Sequence, residues 1–183
     1  MTTALLVMDV QQSITSRYAE GTDYLPRLAE TIGVARAHGI PVIYVVVGFR
    51  AGHPDISRRN QSFARMAGSG RMTPDDPTAQ VHPLVAPQDG DVIVTKRRVS
   101  AFAGSDLDLM LRSLEIDHLV LTGIATSGVM LSTLRQAADL DFALTVLSDG
   151  CVDADDEVHR VLTQKVFPRQ AQVMSSQEWQ AAL

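Results

Sequence analysis

Short runs of apolar residues that end at a polar residue or a glycine dominate the pattern of this chain. Such runs occupy residues 4–8, 41–47, 91–95, 118–122 and 142–147, and a shorter one covers residues 171–173. The apolar positions within each run are mostly continuous rather than alternating, which is typical of parallel strands covered on both faces. We therefore predict six buried strands, the fifth of which ends at Ser148-Asp149-Gly150.

Between these runs, apolar residues recur with the spacing of a helix. They predict four helices, at residues 25–37, 107–114, 130–138 and 158–166. Ser105-Asp106 is suited to cap the second of these at its N-terminus. Strands that alternate with helices form right-handed βαβ units, so the pattern predicts an α/β fold: a three-layer domain with a mainly parallel sheet of about six strands.

The segment from about Gly48 to Gly90 has no strong periodicity and carries most of the prolines. It is longer than an ordinary connection between secondary-structure elements. We interpret it as a functional flap or an interface loop rather than as a second domain, and we expect residues 1–183 to form a single domain.

Composition narrows the classes of function. The chain has 183 residues, of which 45% are hydrophobic and 20% charged, enough for one well-packed core. Its net charge of −5 argues against nucleic acid and anionic membrane surfaces as partners. A single cysteine, Cys151, excludes an internal disulfide. The N-terminus lacks the basic region of a signal peptide, and no apolar stretch is long enough to span a membrane, so we expect a cytoplasmic protein.

The residues that follow the apolar runs are the candidates for chemistry, because open parallel sheets bind ligands beyond the carboxyl ends of their strands. Asp9 ends the first run, Lys96 ends the third, and Gly123 follows the fourth. A carboxylate at the end of a buried strand loses its hydrating water and needs a partner of opposite charge or a hydrogen-bond donor. Lys96 could be that partner. The alternative is that Asp9 is only a cap or turn residue.

Three motifs in this order carry a resemblance to a known family. They are Asp9-Val10-Gln11, Thr95-Lys96 with Ser100-Ala101-Phe102, and Gly123-Ile124-Ala125-Thr126. Together they resemble the isochorismatase-like (cysteine hydrolase) superfamily, and the match runs from Leu5 to about Val173. The resemblance implies a Rossmann-like domain with a catalytic Asp–Lys–Cys set. Members of the superfamily hydrolyse small amides or the vinyl ether of isochorismate.

The chain departs from the family pattern at the catalytic cysteine. In the amidase members this cysteine lies six residues after the glycine that Gly123 matches, and here that residue is Val129. Valine has no nucleophilic atom, so thioester chemistry is excluded at this position. We expect Cys151 to be a packed small residue rather than a substitute. Ser127 is the nearest hydroxyl, and we interpret it as an N-cap.

Members that cleave isochorismate also lack the cysteine, bear glycine instead, and use the aspartate as a proton donor. That precedent fits an active enzyme here, although Val129 fills space that glycine leaves open. Lys96 would lower the pKa of Asp9, whereas burial would raise it, and the sequence leaves the balance of the two open.

The resemblance also assigns the remaining site residues. Asp9 and Lys96 would be catalytic, and a cis peptide bond would join Ile124 to Ala125. Backbone N–H groups from Thr126 to Val129 would face the developing oxyanion. The residues expected to bind substrate are Gln11, Phe102, Ile124, Ala125, Thr126 and Val129.

No metal or other cofactor is expected. Nicotinamidase members place an Asp-x-His metal motif where this chain has Gly48-Phe49-Arg50. We interpret His53 as a structural histidine, with substrate contact as the alternative. Several arginines of this region are either carboxylate ligands or solvated surface residues: Arg50, Arg58, Arg59, Arg97 and Arg98.

Two functions of different classes follow. The first is a hydrolase of a small metabolite (a vinyl ether, an amide or a related carbonyl compound) that uses Asp9 and Lys96 without a covalent cysteine. The second is a catalytically inactive ligand-binding or assembly protein that keeps the family pocket. In either case we expect a small-molecule ligand and a homo-oligomer, either a dimer or a tetramer.

Overall fold

The computed structural model describes residues 1–183 and contains one sheet of six strands. The strands are β1 (Thr3–Met8), β2 (Val42–Val47), β3 (Val92–Lys96), β4 (His118–Ile124), β5 (Ala143–Val152) and β6 (Gln172–Met174). Their spatial order is β3-β2-β1-β4-β5-β6, and every neighbouring pair is parallel. The predicted three-layer α/β fold with a parallel six-stranded sheet is confirmed.

Six α-helices accompany the sheet. They are α1 (Gln12–Tyr18), α2 (Tyr24–Ala37), α3 (Leu107–Ser113), α4 (Leu131–Asp139), α5 (Asp156–Val161) and α6 (Ser176–Ala181). The four predicted helices correspond to α2–α5. The helices α1 and α6 were not predicted, because each contains too few apolar residues for a periodic pattern. No helix is long and apolar enough to cross a membrane.

Successive residues of β1 point to opposite faces of the sheet and so belong to two different cores. Leu6 packs in a core with Leu111 of α3 and with residues of α4. Leu5 packs in the other core, with Leu28 of α2 and Trp179 of α6. Both faces of the sheet are therefore covered by helices, which explains the continuous apolar runs.

The end that the sequence predicts for the fifth strand is wrong. Strand β5 continues beyond Ser148-Asp149-Gly150 as far as Val152. The register with β4 shifts on the way: Leu121 pairs with Val146, whereas Gly123 pairs with Cys151. Residues 147–150 form a bulge that the strand absorbs without leaving the sheet.

The order of the strands indicates where on the sheet a ligand would bind. After β1 the chain proceeds outward to β2 and β3, and it then returns to add β4 on the other side of β1. The carboxyl ends of β1 and β4 are thus the switch point at which parallel sheets of this kind bind ligands. Asp9 directly follows β1, and Ile124 is the last residue of β4.

The long segment at residues 48–90 contains no strand of the sheet and only three short 3-10 turns, at residues 64–66, 77–79 and 83–85. It has a small apolar core of its own, in which Phe49, Phe63 and Met72 pack against Val47 of β2. Gln11 forms an isolated antiparallel bridge with Val81. The segment is therefore attached to the carboxyl end of the sheet, beside the switch point.

Candidate active site

Asp9 and Lys96 form a buried ion pair at the carboxyl end of the sheet. Asp9 lies just beyond β1 and Lys96 ends β3, so the two side chains meet across β2. The Lys96 Nζ atom is 2.9 Å from the Asp9 Oδ2 atom. Asp9 is 6% exposed and Lys96 is 1% exposed. The predicted convergence of these two residues is thus present in the structure.

The backbone around Asp9 explains how the carboxylate is presented. The Asp9 N–H donates to the Val45 carbonyl at 2.8 Å, which holds the residue against β2. Asp9 has a φ of 57°, in the left-handed region, where aspartate is more common than most residues other than glycine. The strand therefore ends abruptly at the Asp9 carboxylate.

Lys96 has a second acceptor besides Asp9. Its Nζ donates to the Arg98 carbonyl at 2.9 Å. A buried ammonium group needs hydrogen-bond partners to offset the loss of water. The turn after β3 supplies one of them, so Lys96 is fixed in place independently of the charge on Asp9.

The surroundings of Asp9 shift the pKa of its carboxyl group. Burial raises its pKa above the ordinary value and outweighs the opposing effect of Lys96, so the net direction is upward. Its Oδ2 atom contacts Lys96, whereas Oδ1 is buried and has no hydrogen-bond partner. A buried polar atom without a partner is uncommon and costly. The free Oδ1 atom is thus the one available to a bound substrate.

The ion pair lies in the wall of a cavity of about 300 Å³. Residues from four strand ends, from α1 and from the long segment line it. The strand ends and the loops that follow β3 and β4 contribute Asp9, Val47, Lys96, Val99, Ile124, Ala125, Gly128 and Val129. The covering side contributes Ser13, Ile14, Arg17, Tyr18, Ser62, Phe63, Met66, Arg71 and Met72. The long segment thus forms part of the cover over the ion pair, as the flap interpretation predicts.

Val129 presents hydrocarbon to this cavity. The residue is 2% exposed and belongs to the core under α3 and α4 as well as to the cavity wall. The peptide bond between Ile124 and Ala125 is cis, as the resemblance implies. Ile124 and Ala125 line the cavity, in agreement with their expected place.

The expected oxyanion cradle needs correction. The Ser127 N–H donates to the Asp153 carboxylate at 2.7 Å, and the Gly128 N–H donates to the Ala125 carbonyl at 3.0 Å. Two of the backbone donors expected to face the substrate are therefore already used inside the chain. The side chain of Ser127 caps no helix: the turn at residues 126–130 starts without a side-chain capping bond.

Three residues that were expected to bind substrate do not line the cavity. The Gln11 amide donates to the Val47 carbonyl and accepts from the Val47 N–H, both at 2.9 Å, so it joins the end of β1 to β2. Phe102 packs in the core with its ring 6.2 Å from that of Phe142. Thr126 is buried, and its hydroxyl is bonded to His159 at 2.8 Å. Each of these side chains is bonded or packed within the fold, and its contact with substrate remains a prediction.

His53 has a structural role, as expected. Its Nδ1 atom accepts from the Gly68 N–H at 2.9 Å, so Nε2 carries the proton that is donated to the Arg71 carbonyl at 2.8 Å. Both ring nitrogens thus bind the backbone of the long segment. His53 is buried and does not line the cavity.

The arginines singled out from the sequence are not those at the cavity. Arg50 and Arg97 both form ion pairs with Asp55, at 3.2 and 3.3 Å. Arg58, Arg59 and Arg98 are also absent from the cavity wall. The arginines that line it, Arg17 and Arg71, were missed. Arg17 lies on the unpredicted helix α1, and Arg71 adjoins Met72 in the segment that lacks a periodic pattern.

Cys151 is a core residue. It is 4% exposed, and burial raises the pKa of its thiol to about 12. The thiol is therefore protonated at neutral pH and a poor nucleophile. Its interpretation as a packed small side chain is consistent with this environment.

Comparison with protein families and with curated relatives gives a consistent result. The family model described as "Isochorismatase domain" matches residues 3–178. An uncharacterized isochorismatase family protein of Bacillus subtilis, YwoC, is 34% identical over 177 residues, which cover 97% of this chain and 92% of that protein. The ureidoacrylate amidohydrolase RutB of Stutzerimonas stutzeri is 34% identical over 85% of this chain and 71% of its own length.

Solved structures resemble the whole chain. An isochorismatase family protein from Burkholderia thailandensis superposes with a TM-score of 0.89 and 29% identity, over 100% of this chain and 95% of that one. A cysteine hydrolase from Pseudomonas syringae pv. phaseolicola also gives a TM-score of 0.89, over 98% of this chain and 91% of that one. The sequence identity of this second match is 24%, so it supports the fold alone.

Proposed function

Because this chain belongs to the isochorismatase family of hydrolases, we propose that it hydrolyses a small metabolite with Asp9 and Lys96 and without a covalent cysteine intermediate. The substrate is a vinyl ether, an amide or a related carbonyl compound. The observation that carries the proposal is the buried Asp9–Lys96 pair, whose residues line a cavity and whose Asp9 Oδ1 atom has no hydrogen-bond partner.

The proposed step uses the protonated form of Asp9, which burial favours more here than in an ordinary aspartate because it raises the pKa of the carboxyl group. Asp9 donates this proton to the substrate, on the vinylic carbon of a vinyl ether or on the leaving nitrogen of an amide. Water adds to the carbon that becomes electron-poor, and the proton released by this water returns to Asp9. Cleavage of the C–O or C–N bond then releases two products, and no bond to the protein is formed.

Lys96 acts on the charge of Asp9 in this scheme. When Asp9 gives up its proton, the carboxylate that remains would be costly in a buried site. The Lys96 ammonium group, 2.9 Å away, stabilises that carboxylate. Burial thus favours the proton before transfer and Lys96 favours the anion after it, which is the pair of properties that a general acid requires.

A substrate panel tests the proposal. It contains isochorismate, nicotinamide, and carbamoyl and ureido compounds, the last chosen because relatives are named ureidoacrylate amidohydrolase. Turnover and the ligand-induced shift of the melting temperature are measured on the same samples, with Asp9→Asn as the matched variant. Turnover that Asp9→Asn removes supports the proposal. A panel without any turnover contradicts it.

The inactive ligand-binding protein is the second candidate. Two observations favour it: Val129 presents only hydrocarbon at the position of the family cysteine, and the Ser127 and Gly128 N–H groups are bonded within the chain. This candidate predicts thermal stabilisation by panel compounds with no turnover of any of them. It also predicts that Asp9→Asn changes binding only.

A further inference from the structure

The cavity beside the Asp9–Lys96 pair has a strong excess of positive charge. Its charged wall residues are Asp9, Lys96, Arg17 and Arg71, three cations and one carboxylate, which gives a formal charge of +2. The chain as a whole has a net charge of −5. Positive charge is thus concentrated at the cavity of an otherwise acidic protein, and the proposed proton transfer uses neither arginine.

We propose that Arg17 and Arg71 bind an anionic group of the substrate, and that the substrate is therefore a small carboxylate. This inference rests on the proposed function, since it specifies the substrate of the same site. The scissile bond lies at Asp9, and the carboxylate lies at the other end of the molecule, towards the two guanidinium groups.

Neither guanidinium group forms an ion pair within the chain, although Arg71 is near Asp76, whose pKa is lowered mainly by hydrogen bonds from Thr78 and Met72 and to a smaller extent by Arg71. No acidic side chain forms an ion pair with Arg17 or with Arg71, whereas Arg50 and Arg97 in the neighbouring region share Asp55. Arg17 lies in the last turn of α1, and Arg71 lies in the long segment. Two separate elements thus bring a cation to one cavity, and a guanidinium group matches a carboxylate through two parallel hydrogen bonds.

Both arginines are exposed, and an exposed arginine is commonly a solvated surface residue. Arg17 also stabilises the C-terminal end of α1 through the helix dipole. Neither explanation accounts for the composition of the wall. The only acidic residue in it, Asp9, is buried and paired with Lys96, so an anion that enters meets no free carboxylate. The field of such a cleft attracts anions and disfavours cations.

The rest of the wall defines the middle of the ligand. Most of the wall is apolar and includes the side chains of Ile14, Phe63, Met66 and Val129. The volume of about 300 Å³ is at the lower end of the range for small-ligand pockets. These features fit a short carboxylate with an apolar or planar middle and a cleavable group at its far end.

Binding of matched pairs of compounds tests the proposal without requiring turnover. One pair is 3-ureidopropionate and 3-ureidopropionamide, and a second is succinamate and succinamide. Each pair differs only in replacing a carboxylate with a neutral amide. Calorimetry is performed on the parent, on Arg17→Gln, on Arg71→Gln and on the double variant. Arg65→Gln is the control. This substitution removes one positive charge from the same long segment as Arg71→Gln does, but Arg65 does not line the cavity.

We expect the parent to bind each carboxylate at least about tenfold more tightly than its amide. Each single variant should lose about fivefold for the carboxylate alone, and the double variant should bind the two members of a pair within about twofold. Arg65→Gln should keep the parental preference. Equal affinity for carboxylate and amide in the parent overturns the proposal, as does a preference that survives in the double variant. No binding of either carboxylate up to about 10 mM also overturns it.

The outcomes separate this inference from the proposed function. If the parent prefers carboxylates but turns over no compound of the panel, the anionic site stands and the hydrolase proposal fails. If the parent hydrolyses neutral compounds and both arginine variants keep the parental kcat/KM, the hydrolase stands and the anionic site fails.

Discussion

Val129 is the residue at which this chain differs most from what its motifs lead one to expect. Its side chain lies in the wall of the cavity that contains Asp9 and Lys96, where the amidase pattern would place a thiol. Everything else that the motifs predict for proton transfer is present, including the buried pair with its 2.9 Å contact. With Val129, the site keeps the two residues proposed for proton transfer but lacks the nucleophile that covalent catalysis requires.

Val129→Cys should introduce a reactive thiol. The new cysteine would line the cavity with Lys96, and a neighbouring cation lowers the pKa of a thiol. We expect iodoacetamide to label the variant at residue 129, and a small amide substrate to leave an acyl adduct there that intact-protein mass spectrometry detects. The parent is the control, because its only thiol, Cys151, is buried with a pKa raised to about 12. Labelling of the parent at a similar rate would contradict this expectation.

Lys96→Met should destabilise the protein strongly. Removing one partner of a buried ion pair leaves an uncompensated charge, which typically costs about 3–5 kcal/mol. The double variant Asp9→Asn/Lys96→Met removes both charges, so it should recover part of that loss in the free energy of unfolding measured in urea. If the effects of the two single variants simply add in the double variant, the two side chains are not coupled, and this description of the pair is wrong.

At the residue scale, the sequence located Asp9 and Lys96 because each ends an apolar run, and strand ends converge in a parallel sheet. Gln11 and Phe102 were expected to bind substrate because they are close in sequence to Asp9 and Lys96. Only the tertiary structure decides whether such a side chain lines this cavity or packs elsewhere in the fold. Phe102 belongs to the core, and the Gln11 amide is bonded to Val47.

At the scale of secondary-structure elements, Gly123 affects the site because it lies where β4 passes the end of β1. Its φ is 146°, and a Cβ atom there would be 2.3 Å from the Met8 carbonyl oxygen. That carbonyl directly precedes Asp9. Any side chain at this position must therefore displace the backbone that presents the carboxylate.

Gly123→Ala should lower both stability and activity. We expect a loss of at least about 2 kcal/mol in the free energy of unfolding, because backbone rather than a flexible side chain must move. Gly33→Ala is the matched control: it lies inside α2 with nothing within 4 Å of the added Cβ, and it should stabilise by up to about 1 kcal/mol. Urea unfolding of both variants checks this. Equal stability of the two would contradict the close contact with Met8.

The elements that the sequence missed are those whose signal is weak or non-local. Helix α1 contains only two large apolar residues, Ile14 and Tyr18, too few for a clear apolar period, yet it carries Arg17 to the cavity. The extension of β5 passes through Ser148-Asp149-Gly150, which resembles a turn in sequence. Pairing of Cys151 with Gly123 of β4 keeps that stretch in the sheet. Long-range pairing thus overrides local preference here.

At the scale of the whole molecule, the order of strands explains why residues so distant in sequence form one site. The chain reverses its direction of growth between β1 and β4, and Asp9, Lys96 and Ala125 all line the cavity at that edge. The alternation of strands and helices was sufficient to predict this architecture. The path of residues 48–90 was not predictable, because its small core around Phe49, Phe63 and Met72 depends on contacts with no sequence period.

The homo-oligomer remains a prediction. Leu84 in the long segment is 60% exposed and Ile93 on the outermost strand β3 is 56% exposed, so both offer apolar surface to a second copy. Light scattering at micromolar concentration should therefore give a dimer or a tetramer. If the measured mass is that of one chain throughout this concentration range, the protein is a monomer and the prediction of a homo-oligomer is wrong.

The most direct test of the account is the pH dependence of kcat/KM for the best substrate of the panel, measured for the parent and for Asp9→Asn. Because burial raises the pKa of Asp9 and the reaction needs its proton, we expect kcat/KM of the parent to be constant at low pH and to fall as pH rises through that pKa. Asp9→Asn should lose about 100-fold or more of this activity, measured under conditions in which circular dichroism shows the variant to be folded, because Lys96 loses its charge partner and stability falls as well. A parental rate in Asp9→Asn, or a kcat/KM that rises with pH, would contradict the proposed role of Asp9.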